Sequence, residues 1–143
     1  MRAYFDTSAI VPLLIDEPAT ARCTTVWNGA SVVVSSAITY VETHAALAQA
    51  RRQSRLDDDS HRQALDGFAV IWKGVAAVPV TESLILHAAA LSASQGLRGY
   101  DSVHCATARM TASGDRDYVA VSGGRDLLRA WSALGVATID IGG

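Results

Sequence analysis

The chain is short of lysine and cysteine and has no long apolar run, and each shortage removes a class of protein. Lys73 is the only lysine among twelve basic residues, and fourteen acidic residues bring the formal net charge to −2. A domain that coats nucleic acid by bulk electrostatics carries a marked basic excess, so that class is excluded while a local arginine strip is not. Arginine suits bidentate phosphate contacts, although an arginine-rich basic set equally fits a bias in genome base composition. Cysteine is limited to Cys23 and Cys105, far apart and in no CxxC or Cys/His spacing. They are expected to be small buried hydrophobes, with no disulfide and no zinc site. No apolar stretch approaches the roughly 18 residues that span a bilayer. A strand-like pattern begins at once, without a charged leader and apolar signal core, so the expected location is the cytoplasm. Repeats, low-complexity segments and linkers are also missing.

What remains is 143 residues, half of them hydrophobic, enough for a single domain over 1–143 with a proper core. Arg2-Ala3-Tyr4-Phe5 is a short apolar run that ends in Asp6-Thr7-Ser8, which reads as a buried strand delivering a carboxylate to a sheet edge. Ala9, Ile10, Leu13 and Leu14 then recur at helical spacing, with Thr7 or Ser8 near the helix N-terminus. Asp6 therefore sits where a strand hands over to a helix, the place where open α/β sheets bind ligands, unless it is only a helix cap. Pro12 and Pro18 bracket the end of this helix, and Ala19 to Trp27 form a second one that stops at Asn28-Gly29. Val32-Val33-Val34 reads as a buried strand. A helix from about Ala37 to Arg52 follows, with Ile38, Val41, Ala45 and Ala48 predicted as its buried face.

Glu42 lies on or beside that face, and a carboxylate there needs a partner. It also lies early in its helix, shortly after a strand, so it can reach the same sheet edge as Asp6. Tyr40 and His44 have no metal-ligand spacing and read as packing or surface residues. Asp57-Asp58-Asp59 opens the next helix, where acids complement the dipole, so it reads as a cap and not as a metal site. Val75 to Val80 reads as a strand, placed at a sheet edge by Pro79. Glu82 to Ser94 is a helix stopped at Gly96. After Gly99, Asp101 falls in the opening turn of another helix with His104 one turn on, a position more often filled by a core histidine than by a ligand. Tyr118 to Ser122, Leu127 to Leu134 and Val136 to Ile141 read strand, helix, strand. The alternation predicts an α/β fold with a largely parallel sheet.

Three features in order, the strand ending in Asp6-Thr7-Ser8, Glu42 early in a helix, and Arg98-Gly99-Tyr100-Asp101-Ser102-Val103-His104-Cys105-Ala106-Thr107-Ala108, resemble the PIN domain and specifically VapC-type toxins. The resemblance covers essentially the whole chain. It implies a three-layer sandwich with a central, mainly parallel sheet of about five strands flanked by helices. It also implies Mg²⁺- or Mn²⁺-dependent endoribonuclease activity, homodimerisation and neutralisation by a VapB-type antitoxin. Asp6, Glu42 and Asp101 match the family's metal-binding, catalytic acids. Mg²⁺ prefers oxygen ligands and is commonly held by one or two carboxylates with substrate phosphate, which agrees. Ser8 and Ser122 are candidates to position water or phosphate, and Arg98, Arg125 and Arg129 to bind RNA. One departure concerns a fourth acid that many members carry after the fourth strand, where Ser122-Gly123-Gly124 has glycine. Asp126 is the candidate substitute, although an acid at a helix start has a dipole-complementing explanation. The competing reading is a weakly active or inactive domain that binds RNA or an antitoxin. A phosphoacceptor signalling domain is set aside, because Lys73 precedes a strand instead of following one.

Overall fold

Tyr4 and Phe5 are neighbours on one strand, yet each is fully buried in a different hydrophobic cluster. Alternation of this kind means that the strand is covered on both faces, as parallel sheets are. The computed structural model describes residues 1–143. It contains β1 (Arg2–Phe5), β2 (Val32–Ser36), β3 (Val75–Val78), β4 (Tyr118–Ser122) and β5 (Thr138–Asp140), in the order β3-β2-β1-β4-β5 with every pairing parallel. The helices are α1 (Thr7–Ile10), α2 (Thr20–Gly29), α3 (Ile38–Arg52), α4 (Asp58–Trp72), α5 (Glu82–Gln95), α6 (Gly99–Ala112) and α7 (Arg125–Ala133). Leu84 and Leu91 of α5, Val103 of α6 and Trp131 of α7 join Tyr4, Val34 and Ala120 on one face. Ala9 and Ile10 of α1, Cys23 and Val26 of α2 and Phe68 of α4 join Phe5, Val33 and Val121 on the other. The result is the three-layer sandwich expected from the sequence.

Local chemistry explains where the elements stop. Pro12 has no N–H to give the Ser8 carbonyl, and α1 ends at Ile10 in a 3-10 turn over Val11–Leu13. Asp57 caps α4 by accepting from the Ser60 amide, as the triple Asp predicts. Gly96 takes a left-handed φ of 65° to end α5. Pro79 follows β3, which is an edge strand. Gly99 opens α6 instead of separating it from the preceding helix. Cys23 and Cys105 are buried and free.

The buried face of α3 differs from the predicted one. Thr39, Thr43, Leu47 and Ala50 are buried, whereas Val41 is 62% exposed and Ala45 is exposed too. A hydrogen bond makes the polar choice workable at Thr39, whose hydroxyl donates to Ser35 Oγ at 2.7 Å while Ser35, at the end of β2, donates to the Phe5 carbonyl at 2.6 Å. Tyr40 and His44 turn toward α4 and stack with Phe68, a packing role.

Candidate active site

All five strands run parallel, so their C-terminal ends share one edge. The chain moves outward from β1 through β2 and β3, then crosses back to β4 and β5 on the other side. The reversal falls between β1 and β4, and the crevice outside the strand ends at such a point is where open α/β sheets bind ligands. Phe5 pairs with Val121, which brings Asp6 beside Ser122 at that crevice.

Asp6 is only 6% exposed and is surrounded by donors. Its Oδ1 accepts from the Ser8 hydroxyl at 2.6 Å and the Ala9 amide at 3.1 Å, and its Oδ2 accepts from the Ser122 hydroxyl at 2.6 Å. The Gly123 and Gly124 amides in turn donate to Ser8 Oγ and Ser122 Oγ at 2.8 and 2.9 Å. Burial pushes the Asp6 pKa up and prevails, against the opposing pull of His104, the two serines and the Ala9 amide. Asp6 does cap α1, but a cap alone needs one acceptor oxygen, and here both are engaged.

Glu42 reaches the same edge from the second turn of α3. Burial acts to raise its pKa, but the hydrogen bond and charge of His104 and the Thr7 hydroxyl outweigh it, so the carboxyl is held below its ordinary range. Thr7 donates to Oε1 at 2.7 Å, and His104 Nε2 lies 2.6 Å from the same oxygen. The partner that Glu42 needs is therefore the buried histidine of α6.

Asp101 stands one turn before His104 on α6. It is half-buried and neither hydrogen-bonded nor ion-paired within the protein, and burial raises its pKa, with Glu42 and Asp126 adding to the rise against His104 and Arg98. Its neighbours Arg98, Gly99 and Tyr100 line with it an open hollow of about 470 Å³. Thr7, next to Asp6 in the chain, and His104, one turn after Asp101 on α6, both reach Glu42 Oε1, so hydrogen bonds at Glu42 link the three segments that carry the acids. Asp126 is exposed at the start of α7 and pairs with Arg129 at 3.3 Å.

The sequence profile of the PIN domain matches residues 3–130. The chain belongs to the PIN domain family. Two similar proteins of Mycobacterium tuberculosis are Ribonuclease VapC45 from strain CDC 1551 and Ribonuclease VapC49 from strain H37Rv. Each is 35% identical over 105 residues, which is 73% of this chain and 73% of theirs. Among solved structures, FitAcB from Neisseria gonorrhoeae is similar with a TM-score of 0.70 at 17% identity, covering 97% of both chains. VapC20 of M. tuberculosis, described as a sarcin-ricin loop cleaving toxin, is similar with a TM-score of 0.67 at 19% identity, covering 94% of this chain and 96% of its own. These structural likenesses bear out the PIN-like sandwich.

In this PIN domain the acids fit a hard divalent cation by donor chemistry. The available groups are carboxylate oxygens with serine and threonine hydroxyls beside them, and Asp101 is a half-buried carboxylate with no protein donor. No three acidic, histidine or cysteine side chains form a ready-made ligand cage. Mg²⁺ rarely uses one, because it retains waters and takes substrate phosphate as a ligand.

The arginines of this PIN domain are placed unequally. Arg98 lines the hollow beside Asp101, Arg125 lines a smaller hollow of about 230 Å³ with Gly123 and Asp140, and Arg129 is engaged with Asp126. Sequence reasoning missed the parts of His104 and Tyr4 at this edge. The available signal was the spacing of His104 three residues after Asp101, which puts the two on one helix face.

Proposed function

We propose that this PIN domain is a metal-dependent endoribonuclease, the toxin of a type II toxin–antitoxin pair, acting in the cytoplasm. The observation that carries the reading is the buried, doubly serine-bound Asp6 at the strand-order reversal, with Glu42 and Asp101 drawn to the same edge. The relatives named as ribonucleases support it. Asp6 and Asp101, assisted by Glu42, would hold Mg²⁺ or Mn²⁺, with Asp126 as a secondary contributor. A bound divalent cation supplies Lewis acidity toward water and phosphate oxygens. Ser8 and Ser122 fix the Asp6 carboxylate and present hydroxyls at the crevice. Arg98 and Arg125 bind RNA phosphate, and Arg129 adds to them once released from Asp126. Each phosphate contact removed weakens binding with little sequence preference and flattens its salt dependence.

The proposed partners are RNA, a VapB-type antitoxin and a second copy of the chain. Solved relatives are described as toxin–antitoxin complexes, including one from Klebsiella pneumoniae, which supports the antitoxin. Exposed apolar side chains on three helices, Val41, Val70, Ile85 and Leu86, offer surface for such contacts. No helix is long and apolar enough to cross a membrane.

One observation favours a second reading, a domain that binds RNA or antitoxin but cleaves poorly. Gly124 stands where the family resemblance leads one to expect a fourth acid, and Asp126 is exposed and ion-paired. Incubating purified protein with RNA in Mg²⁺, Mn²⁺ or chelator separates the two. Metal-dependent cleavage supports the enzyme, and binding without cleavage supports the alternative.

A further inference from the structure

Glu42 is held by a run of buried groups that begins on β1. Tyr4 is fully buried, and its ring meets those of His104 and Trp131 edge-on at centroid distances of 6.0 and 5.7 Å. Its hydroxyl lies 2.6 Å from His104 Nδ1, and His104 Nε2 lies 2.6 Å from Glu42 Oε1. His104 is itself 2% exposed, so water does not compete for either ring nitrogen.

The directions of these bonds follow from donor counting. Burial keeps the Tyr4 phenol protonated, and its hydroxyl has His104 as its hydrogen-bond partner, so its hydrogen is available to Nδ1. A neutral imidazole that accepts at Nδ1 carries its proton on Nε2, and that N–H donates to the carboxylate. The opposite tautomer would set a nitrogen lone pair against Glu42 Oε1 at hydrogen-bond distance. Thr7 also donates to Oε1, which leaves Oε2 as the carboxylate oxygen with no protein donor.

We propose that Tyr4 and His104 are positioning residues: the tyrosine hydroxyl anchors the imidazole at Nδ1, and the imidazole holds Glu42 through Oε1 so that Oε2 alone serves a cation. This rests on the reading of Glu42 as a metal-site acid. It explains why a histidine and a tyrosine that face no solvent are spent on one carboxylate. Partners that orient a ligand in this way typically govern 10- to 100-fold in metal affinity.

The test is ¹⁵N NMR of the His104 ring at a pH where imidazole is neutral, with Mn²⁺ titration of the same full-length samples. Nδ1 of the wild-type ring is expected to show a hydrogen-bonded resonance, and Tyr4→Phe is expected to move it toward that of a free ring nitrogen and weaken Mn²⁺ binding about tenfold. In a Glu42→Gln background, Tyr4→Phe should cause no further loss. If Tyr4→Phe fails to fold, His104→Gln and His104→Asn decide. The glutamine amide can stand in for Nε2–H and should bind Mn²⁺ within about threefold of wild type, whereas asparagine should lose about tenfold. An Nδ1 resonance unmoved by Tyr4→Phe, additive losses with Glu42→Gln, or equal binding by the Gln and Asn variants overturns the proposal. Protein with the expected Nδ1 shift and Mn²⁺ binding that leaves RNA intact would refute the ribonuclease reading and keep the positioning roles. Cleaving protein whose Nδ1 resonance ignores Tyr4→Phe would do the reverse.

Discussion

Ser122 donates to Oδ2 of Asp6 at 2.6 Å across 116 residues of chain, joining β4 to β1 where the strand order reverses. A hydrogen bond to a buried carboxylate contributes about 1.5–3 kcal/mol. Ser122→Ala should lower unfolding free energy by an amount in that range at neutral pH and push the Asp6 pKa further up. Urea titration checks the first, and the acid limb of the cleavage profile, which should move to higher pH, checks the second. An unchanged profile would show that Ser8 and Ala9 suffice.

The acids also fix how metal-free stability varies with pH. Asp6 and Asp101 have folded pKa values raised above their unfolded ones. Their stabilising contribution is fully present below the unfolded value of about 3.9 and is lost as pH rises through the raised folded values. Glu42, held low, contributes above about 4.3 and loses that contribution as pH falls through its folded value. In chelator, wild-type stability should therefore fall on going from about pH 4 toward neutrality. The stability of Asp6→Asn should fall less over the same range. Added Mg²⁺ or Mn²⁺ should stabilise wild type and not the variant. Equal pH dependence of the two proteins would contradict the assignment.

Much of this edge is legible in the sequence because a parallel sheet makes it so. Strand ends must share an edge, and acids placed just after strands or early in helices are carried there, as Asp6, Glu42 and Asp101 are. Hydrophobic patterning failed on α3, where Thr39 and Thr43 replace the expected Val41 and Ala45 on the buried face. Patterning assigns hydroxyl residues to the surface, and the hydrogen bond between Thr39 and Ser35, itself tied to the Phe5 carbonyl of β1, reverses that for Thr39. The link between Tyr4 and His104, 100 residues apart, has no local signature at all.

Thr43 offers an independent check on that face. Its Oγ1 is a buried side-chain atom with no hydrogen-bond partner. Thr43→Val keeps the shape and removes the unpaired polar group, so it should stabilise the fold by about 1 kcal/mol in denaturant unfolding. A loss of stability would show that the hydroxyl is satisfied in solution.

The glycine after β4 ranks the remaining acids. Gly124 has a φ of −86°, open to any residue, and a Cβ there would meet Ser122 Oγ at 3.4 Å, so an acid fits with little movement. Gly124→Asp should raise Mn²⁺ affinity or cleavage rate. Asp126→Ala should reduce activity less than Asp6→Ala, since Asp126 is exposed and paired with Arg129. An inactive but folded Asp126→Ala protein would reverse the ranking.

The most direct measurement is cleavage of RNA by purified wild-type and Asp6→Asn protein, side by side, with Mg²⁺ or Mn²⁺ and with chelator, after unfolding curves show both to be folded. The expected result is cleavage by wild type only when metal is present, and none by Asp6→Asn under any condition. Metal-dependent cleavage of undiminished rate by Asp6→Asn would contradict the role of the carboxylate at the centre of this site.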